Sequence, residues 1–186
     1  FPIVQILHSE GFYITGSDNN ETETLNAVRK MGITVFMGQR AENIEGAELI
    51  VYSAAIMADN PELVAAKNGS VPCVERAEIF GAITRMYTDC IAVCGTHGKT
   101  TVTSMLTHIL IDNEFDPSAV IGGKLPLTGT NGRVGKSDIL VCEACEYKDS
   151  FLSFFPSVAV VLNAEYDHAD YFENFDAYLA SFRKYL

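Results

Sequence analysis

Basic residues are scarce in this chain: 13 lysines and arginines stand against 24 aspartates and glutamates, a formal net charge of −11. That excludes a general nucleic-acid binder, because contact with a phosphate backbone rewards a basic face. It leaves room for a single nucleotide, for which one lysine and a metal ion suffice. Long apolar runs are also missing. None approaches the roughly 18 residues that span a bilayer, and no secretory leader is visible; membrane insertion is not expected. The five cysteines are odd in number and scattered, which argues against a disulfide framework and suits a reducing cytoplasm. Cys142-Glu143-Ala144-Cys145 has redox or zinc spacing, but no second such pair accompanies it, so plain packing is expected. Internal repeats and low-complexity segments are absent.

What is present is globular sequence: 186 residues, 48% of them hydrophobic, enough for one large or two modest domains. The sequence opens on Phe1 rather than Met, and its first residues read as the middle of a helix. The expectation is that the true N-terminus lies upstream. Short apolar runs then alternate with helix-like segments. Candidate strands are 12–15, 34–37, 49–52, 72–74, 91–94, 139–142 and 158–162. Candidate helices are 21–30, 61–68, 76–85 and 100–113. This alternation predicts an α/β fold with parallel sheets and right-handed crossovers. The best boundary is 87–90, where one strand–helix series ends. At the end of the chain, Phe175, Tyr178, Leu179, Phe182, Tyr185 and Leu186 share one helical face, a core or docking stripe.

The chemistry concentrates in the second half. Gly95-Thr96-His97-Gly98-Lys99-Thr100-Thr101 follows the apolar run Cys90-Ile91-Ala92-Val93-Cys94 and leads into a helix. A strand, a glycine-bracketed turn and a Lys-Thr pair at a helix start make a phosphate cradle. Lys99 can reach β/γ-phosphates, and the Thr100 hydroxyl can ligate Mg²⁺. The usual pattern has a further glycine where this chain has Val93, so the loop is a variant.

Two more apolar strands end in polar groups. One delivers Glu143 and then Glu146; the other delivers Asn163, Asp167 and His168. Ligands of open α/β sheets bind outside the carboxyl ends of strands, so all three strands aim at one edge. Glu143 is a hard oxygen ligand suited to Mg²⁺, or else a plain strand-end carboxylate. His168 either completes the metal shell or is a turn residue bonded to Asp167 or Asp170. His97 sits inside the loop, where it can meet phosphate or a second substrate. The glycine-rich segment Ile121-Gly122-Gly123, with Thr128-Gly129-Thr130-Asn131-Gly132-Arg133 after it, is a hairpin or a loop that holds a polar substrate. In the first half, Gly16-Ser17-Asp18 follows a strand. Asp18 there either binds a ribose hydroxyl or caps the next helix. Ser53 follows another strand and lies on the same edge.

The 95–101 loop, Glu143-Ala144-Cys145-Glu146-Tyr147 and Asn163 with Asp167-His168 together resemble the Mur ligases. Supporting signatures are Gly16-Ser17-Asp18, Asp59-Asn60-Pro61-Glu62, Glu75-Arg76-Ala77-Glu78 and Gly129-Thr130-Asn131-Gly132-Arg133. The resemblance covers essentially the whole chain, and it accounts for Val93, since this family lacks the first loop glycine. It implies a Rossmann-like domain for a UDP-sugar over residues 1–88, without its first strand and glycine loop. It further implies the start of a P-loop ATPase α/β domain over residues 89–186, and a third, amino-acid domain that this stretch does not contain.

On this resemblance Gly95, Thr96, Gly98, Lys99, Thr100 and Thr101 hold ATP, and Thr100, Glu143 and His168 serve Mg²⁺. Lys99, His97 and Asn163 lie at the reacting carboxylate and phosphate. Ser17, Asp18, Ser53, Thr130, Asn131 and Arg133 face the sugar-nucleotide substrate. The branch that joins L-alanine to UDP-N-acetylmuramate, in peptidoglycan precursor synthesis, fits best. The compact spacing from Glu143 to His168 sets it ahead of the branch that recycles whole peptides onto the same sugar nucleotide. A nucleotide-binding switch is the remaining alternative, and it needs no sugar-nucleotide half.

Overall fold

The computed structural model describes residues 1–125 and 129–186. Helix α1 (Pro2–Ser9) precedes β1 (Thr15–Asp18), α2 (Glu23–Lys30) and β2 (Thr34–Met37). Next come β3 (Ile50–Tyr52), α3 (Pro61–Asn68), β4 (Cys73–Glu75) and α4 (Arg76–Thr84). The second half runs β5 (Asp89–Cys94), α5 (Lys99–Asp112), β6 (Ser118–Val120), β7 (Gly132–Arg133), β8 (Ile139–Glu143), β9 (Val158–Val161) and α6 (Phe175–Tyr185). The fold is mixed α/β with parallel sheets, as the alternation predicts.

Helix starts follow local chemistry. The Thr22 hydroxyl accepts from Leu25 N–H at α2, and Asn60 Oδ1 accepts from Glu62 and Leu63 N–H at α3, where Pro61 is the first helical residue. Glu75 and Glu78 form a reciprocal capping box at α4, and Asn174 caps α6. Each cap satisfies amides that a first turn leaves without partners. Helix α5 differs, since it starts at Gly98 with no side-chain cap.

β1 pairs with β2 and β3 with β4, each pair parallel. A five-stranded sheet has the order β7-β6-β8-β5-β9, parallel except for β7 against β6. The sequence pattern missed β6 and β7, which are three and two residues long, too short for a period to show. It also placed the first strand three residues early. The aromatic pair Phe12 and Tyr13 suggested a strand, yet both are exposed and the ladder begins at Thr15 opposite Thr34.

One face of the five-stranded sheet carries Cys90, Ala92, Cys94, Leu140 and Cys142. Over it pack Ile6 of α1, Phe80 and Ile83 of α4, Phe151 and Phe154, and Tyr178 and Phe182 of α6. Residues from both halves of the chain therefore share this core. The contact is close: a Cβ on Gly81 of α4 would lie 2.0 Å from the Ser153 carbonyl oxygen. Of the terminal stripe, Tyr178 and Phe182 are core, Tyr185 stacks on Phe151 with centroids 4.5 Å apart, and Phe175 and Leu186 are exposed. Cys142 is buried while Cys145 is exposed, and both are free thiols, so the Cys-x-x-Cys spacing marks no paired site. Among the described residues no helix is long and apolar enough to cross a membrane.

Candidate active site

The registers Val93↔Glu143, Cys94↔Val161 and Val120↔Cys142 bring the carboxyl ends of β5, β8, β9 and β6 to one edge. Three of these ends were expected there, and β6 adds a fourth. It leads directly into Gly122-Gly123. Val93, where other phosphate loops have glycine, is a fully buried residue inside β5.

The loop after β5 is held tightly. Gly95 has φ 133° and a Cβ there would sit 3.0 Å from the Asn163 carbonyl; Gly98 has φ 86°. Neither backbone suits a residue with a side chain. Thr96 is only 8% exposed. Its hydroxyl donates to the Glu165 carbonyl at 2.9 Å, accepts from Glu165 N–H at 2.8 Å and lies 2.7 Å from the Tyr178 hydroxyl. Asn163 clasps the next peptide from both sides. Its Oδ1 accepts from His97 N–H at 2.9 Å and its Nδ2 donates to the His97 carbonyl at 3.1 Å. The His97 ring is left exposed, with Nε2 3.9 Å from Glu165 Oε2. Thr100 and Thr101 stand exposed on the first turn of α5. Their uncapped amides are available to an anion, which the helix dipole favours.

Lys99 does not reach out of the loop. Its Nζ donates to the Gly95 carbonyl at 2.5 Å, the Thr96 carbonyl at 3.2 Å and Glu146 Oε2 at 3.1 Å. Glu146 has no exposed surface. Its Oε1 accepts from the Tyr178 hydroxyl at 3.3 Å and lies 3.5 Å from His168 Nε2. Burial pushes the Tyr178 hydroxyl up to about 12, opposed in part by the Thr96 hydroxyl beside it and helped to a lesser degree by the nearby Glu146 charge; it stays a neutral donor. Sequence reasoning placed Glu146 at this strand end without giving it a role, and read Tyr178 only as packing. A carboxylate three residues past Glu143 was the available signal, but its burial is not a local property.

Glu143 Oε1 accepts from Gly122 N–H at 2.6 Å. A Cβ on Gly122 would come within 2.8 Å of Glu143 Oε2, and one on Gly123 within 3.0 Å of Thr100 Cγ2. The two glycines thus let one turn lie against both Thr100 and Glu143. These are hard oxygen donors, and Mg²⁺ is commonly held by one or two protein oxygens with the remaining positions left to water and phosphate. Among the described residues no three His, Cys, Asp or Glu side chains converge as a metal cage. His168 is placed by Asp167 Oδ1, which accepts its N–H at 2.7 Å, and by Tyr147, whose ring lies 4.7 Å away. Its Nε2 faces Glu146.

The remaining expected residues lie apart from the loop. Ser17 donates to Glu62 Oε2 at 2.7 Å, tying β1 to α3. Asp18 Oδ1 accepts from Asn20 N–H at 2.9 Å, whereas the cap of α2 is Thr22, so the helix-cap alternative for Asp18 does not hold. Ser53 opens a turn, its carbonyl accepting from Ile56 N–H. The Asn131 carbonyl accepts from Ile121 N–H, and the Thr130 hydroxyl donates to the Gly132 carbonyl. Arg133 pairs through Nη2 with Asp116, while its Nη1 is buried with no hydrogen-bond partner among the described residues. Thr128, part of the same glycine-rich segment, lies outside the described residues.

Residues 2–88 match the family model described as Mur ligase family, catalytic domain, and residues 93–185 match the Mur ligase middle domain. A UDP-N-acetylmuramate–L-alanine ligase of Clostridium botulinum (strain Langeland) is 42% identical over 99% of this chain and 40% of its own length. The ligase of the same name from Acetivibrio thermocellus is 44% identical over 99% of this chain and 39% of its own. The solved UDP-N-acetylmuramate-alanine ligase of Thermotoga maritima superposes with a TM-score of 0.89 at 31% identity, covering 99% of this chain and 43% of that one. The ligase for L-alanyl-γ-D-glutamyl-meso-diaminopimelate from Neisseria superposes at 0.86 with 24% identity, a likeness of fold alone. The chain spans about 40% of the length of the curated relatives it matches. With two family models covering nearly its whole length, the chain belongs to the Mur ligase family.

Proposed function

We propose that this chain carries the activating part of an ATP-dependent, ADP-forming ligase of the cytoplasm. It joins L-alanine to the carboxylate of UDP-N-acetylmuramate in peptidoglycan precursor synthesis. The observation that carries the reading is Lys99 in the first turn of an uncapped helix, at an edge where three further parallel strands bring Glu143, Asn163 and the Gly122-Gly123 turn. Residues 1–88 take the UDP-sugar, with Ser17, Asp18 and Ser53 at their strand ends, and residues from 89 onward take ATP. Thr130 and Asn131 offer polar groups to the sugar substrate, while Arg133, paired with Asp116, supports the segment that carries them.

The sugar's carboxylate oxygen attacks the γ-phosphorus, giving an acyl phosphate and ADP. The alanine nitrogen then attacks the acyl carbon, loses a proton and expels inorganic phosphate, leaving an amide. The Gly95–Thr101 loop cradles the phosphates, and the Lys99 ammonium offsets charge on the transferred group. Asn163 fixes the loop peptide that presents His97 to the reacting groups. Thr100 and Glu143 would hold Mg²⁺, with His168 as a further ligand, and the ion would supply Lewis-acid neutralisation of the phosphate oxygens.

Phosphate release from ATP by the full-length protein is expected to require both UDP-N-acetylmuramate and L-alanine. Release indifferent to both would sink the ligase reading and favour a nucleotide switch. Replacing L-alanine by a tripeptide separates this reading from peptide recycling.

A further inference from the structure

Glu146 belongs to none of the roles above, yet it is the most completely enclosed charge at the site. Its carboxylate has no exposed surface, and it meets Lys99 Nζ at 3.1 Å, the Tyr178 hydroxyl at 3.3 Å and His168 Nε2 at 3.5 Å. An ammonium has three protons to give. In this structure Gly95, Thr96 and Glu146 take them all. The lysine that a phosphate needs is therefore folded back and saturated.

We propose that Glu146 is the counter-ion of Lys99, a positioning residue that holds the ammonium back against the loop and competes with phosphate for its charge. The proposal rests on the nucleotide reading of the loop. A buried carboxylate stripped of its cation is costly, so Glu146 keeps its hold on Lys99. The partners given up to an incoming phosphate are the neutral carbonyls of Gly95 and Thr96. Phosphate then meets an ammonium already half neutralised, with a carboxylate behind it. Polyphosphate without a divalent cation is bound weakly as a result, and removing the Glu146 charge while keeping its shape strengthens that binding. A residue that only supports the fold gives the opposite sign, because its loss weakens binding.

The test is ADP binding by titration calorimetry, with EDTA and with Mg²⁺, for the wild-type protein and Glu146→Gln, with folding checked by circular dichroism. The expected result is a Kd in EDTA lower by roughly tenfold in the variant, the size of one charge-assisted hydrogen bond regained for phosphate. A smaller gain is expected with Mg²⁺. Unchanged or weaker binding by the folded variant overturns the proposal. If Glu146→Gln does not fold, the ¹⁵N-lysine spectrum of the wild-type protein decides. A slowly exchanging Lys99 Nζ signal that moves on ADP addition is expected, and a fast-exchanging, solvent-like one overturns the proposal. Wild-type protein that binds no ADP in either buffer removes the nucleotide reading and this inference together. Wild-type binding without a gain in the variant removes this inference alone.

Discussion

Replacing Thr96 by valine isolates the hydroxyl that ties the phosphate loop to the rest of the site. Valine keeps the shape and both branches at Cβ, so packing is nearly conserved. What goes is the oxygen that donates to the Glu165 carbonyl, accepts from Glu165 N–H and meets the Tyr178 hydroxyl. Thr96 is 8% exposed and Tyr178 fully buried, which leaves little room for water to replace these bonds. Tyr178 retains Glu146 at 3.3 Å, so its loss is partial. Two bonds to Glu165 are lost, since the Tyr178 proton goes to Glu146, and at about 1 kcal/mol each they amount to about 2 kcal/mol. For a chain of this length that lowers the melting temperature by roughly 4–8 °C. Thermal and urea unfolding followed by circular dichroism measure it, with Thr96→Ser as the control that keeps the oxygen and loses a methyl. Serine is expected to recover most of the stability. A valine variant within ~0.5 kcal/mol of wild type, or a serine variant as damaged as the valine one, would refute the bonding scheme, the first value being that of an ordinary neutral surface change.

Lys99→Ala is expected to abolish ADP binding and also to cost about 3–5 kcal/mol of stability, because Glu146 is left buried without its cation. Adding Glu146→Gln should restore stability but not binding, and unfolding curves with calorimetry on both variants test this. Among the thiols, Cys145 and the half-buried Cys73 are expected to react with a disulfide reagent in the folded protein, while Cys90, Cys94 and Cys142 wait for unfolding. Burial pushes the Cys94 thiol up to about 11, and the neighbouring Cys90 thiol, with burial second, holds Cys142 well above the ordinary range; equal rates for all five would contradict the core. Asp116 is held below the usual carboxylate range, first by Lys136 N–H and then by the Arg133 guanidinium. Its folded value lies below its unfolded one, so its contribution is present above pH ~4 and fades as pH falls through the folded value. Asp116→Asn removes that part of the acid limb of stability against pH, and an unchanged limb would show that the pairing contributes nothing.

The legible part of this protein was local. A strand ending in Gly95–Thr101 announces a phosphate loop because turn, helix start and lysine are contiguous. Alternating apolar and helical segments announce parallel strands whose ends share an edge, and Glu143 and Asn163 duly arrive there. Helix α3 is placed to the residue because Asn60 and Pro61 mark its start. Where the pattern failed, length and context were the cause. Strands β6 and β7 hold too few residues to show a period, and β1 was displaced by aromatic residues that the structure leaves exposed.

The sequence by itself determined the glycine-bracketed turn between β5 and α5, the α/β class and the family. Each rests on residues adjacent in the chain or spaced by one regular element. The tertiary structure alone decided that Thr96, Lys99, His168 and Tyr178 form one connected knot around the buried Glu146, which joins segments as far apart as Thr96 and Tyr178. Whether a carboxylate is a surface charge or a counter-ion depends on what covers it. For Glu146 the cover comes from distant parts of the chain, and no local pattern encodes it.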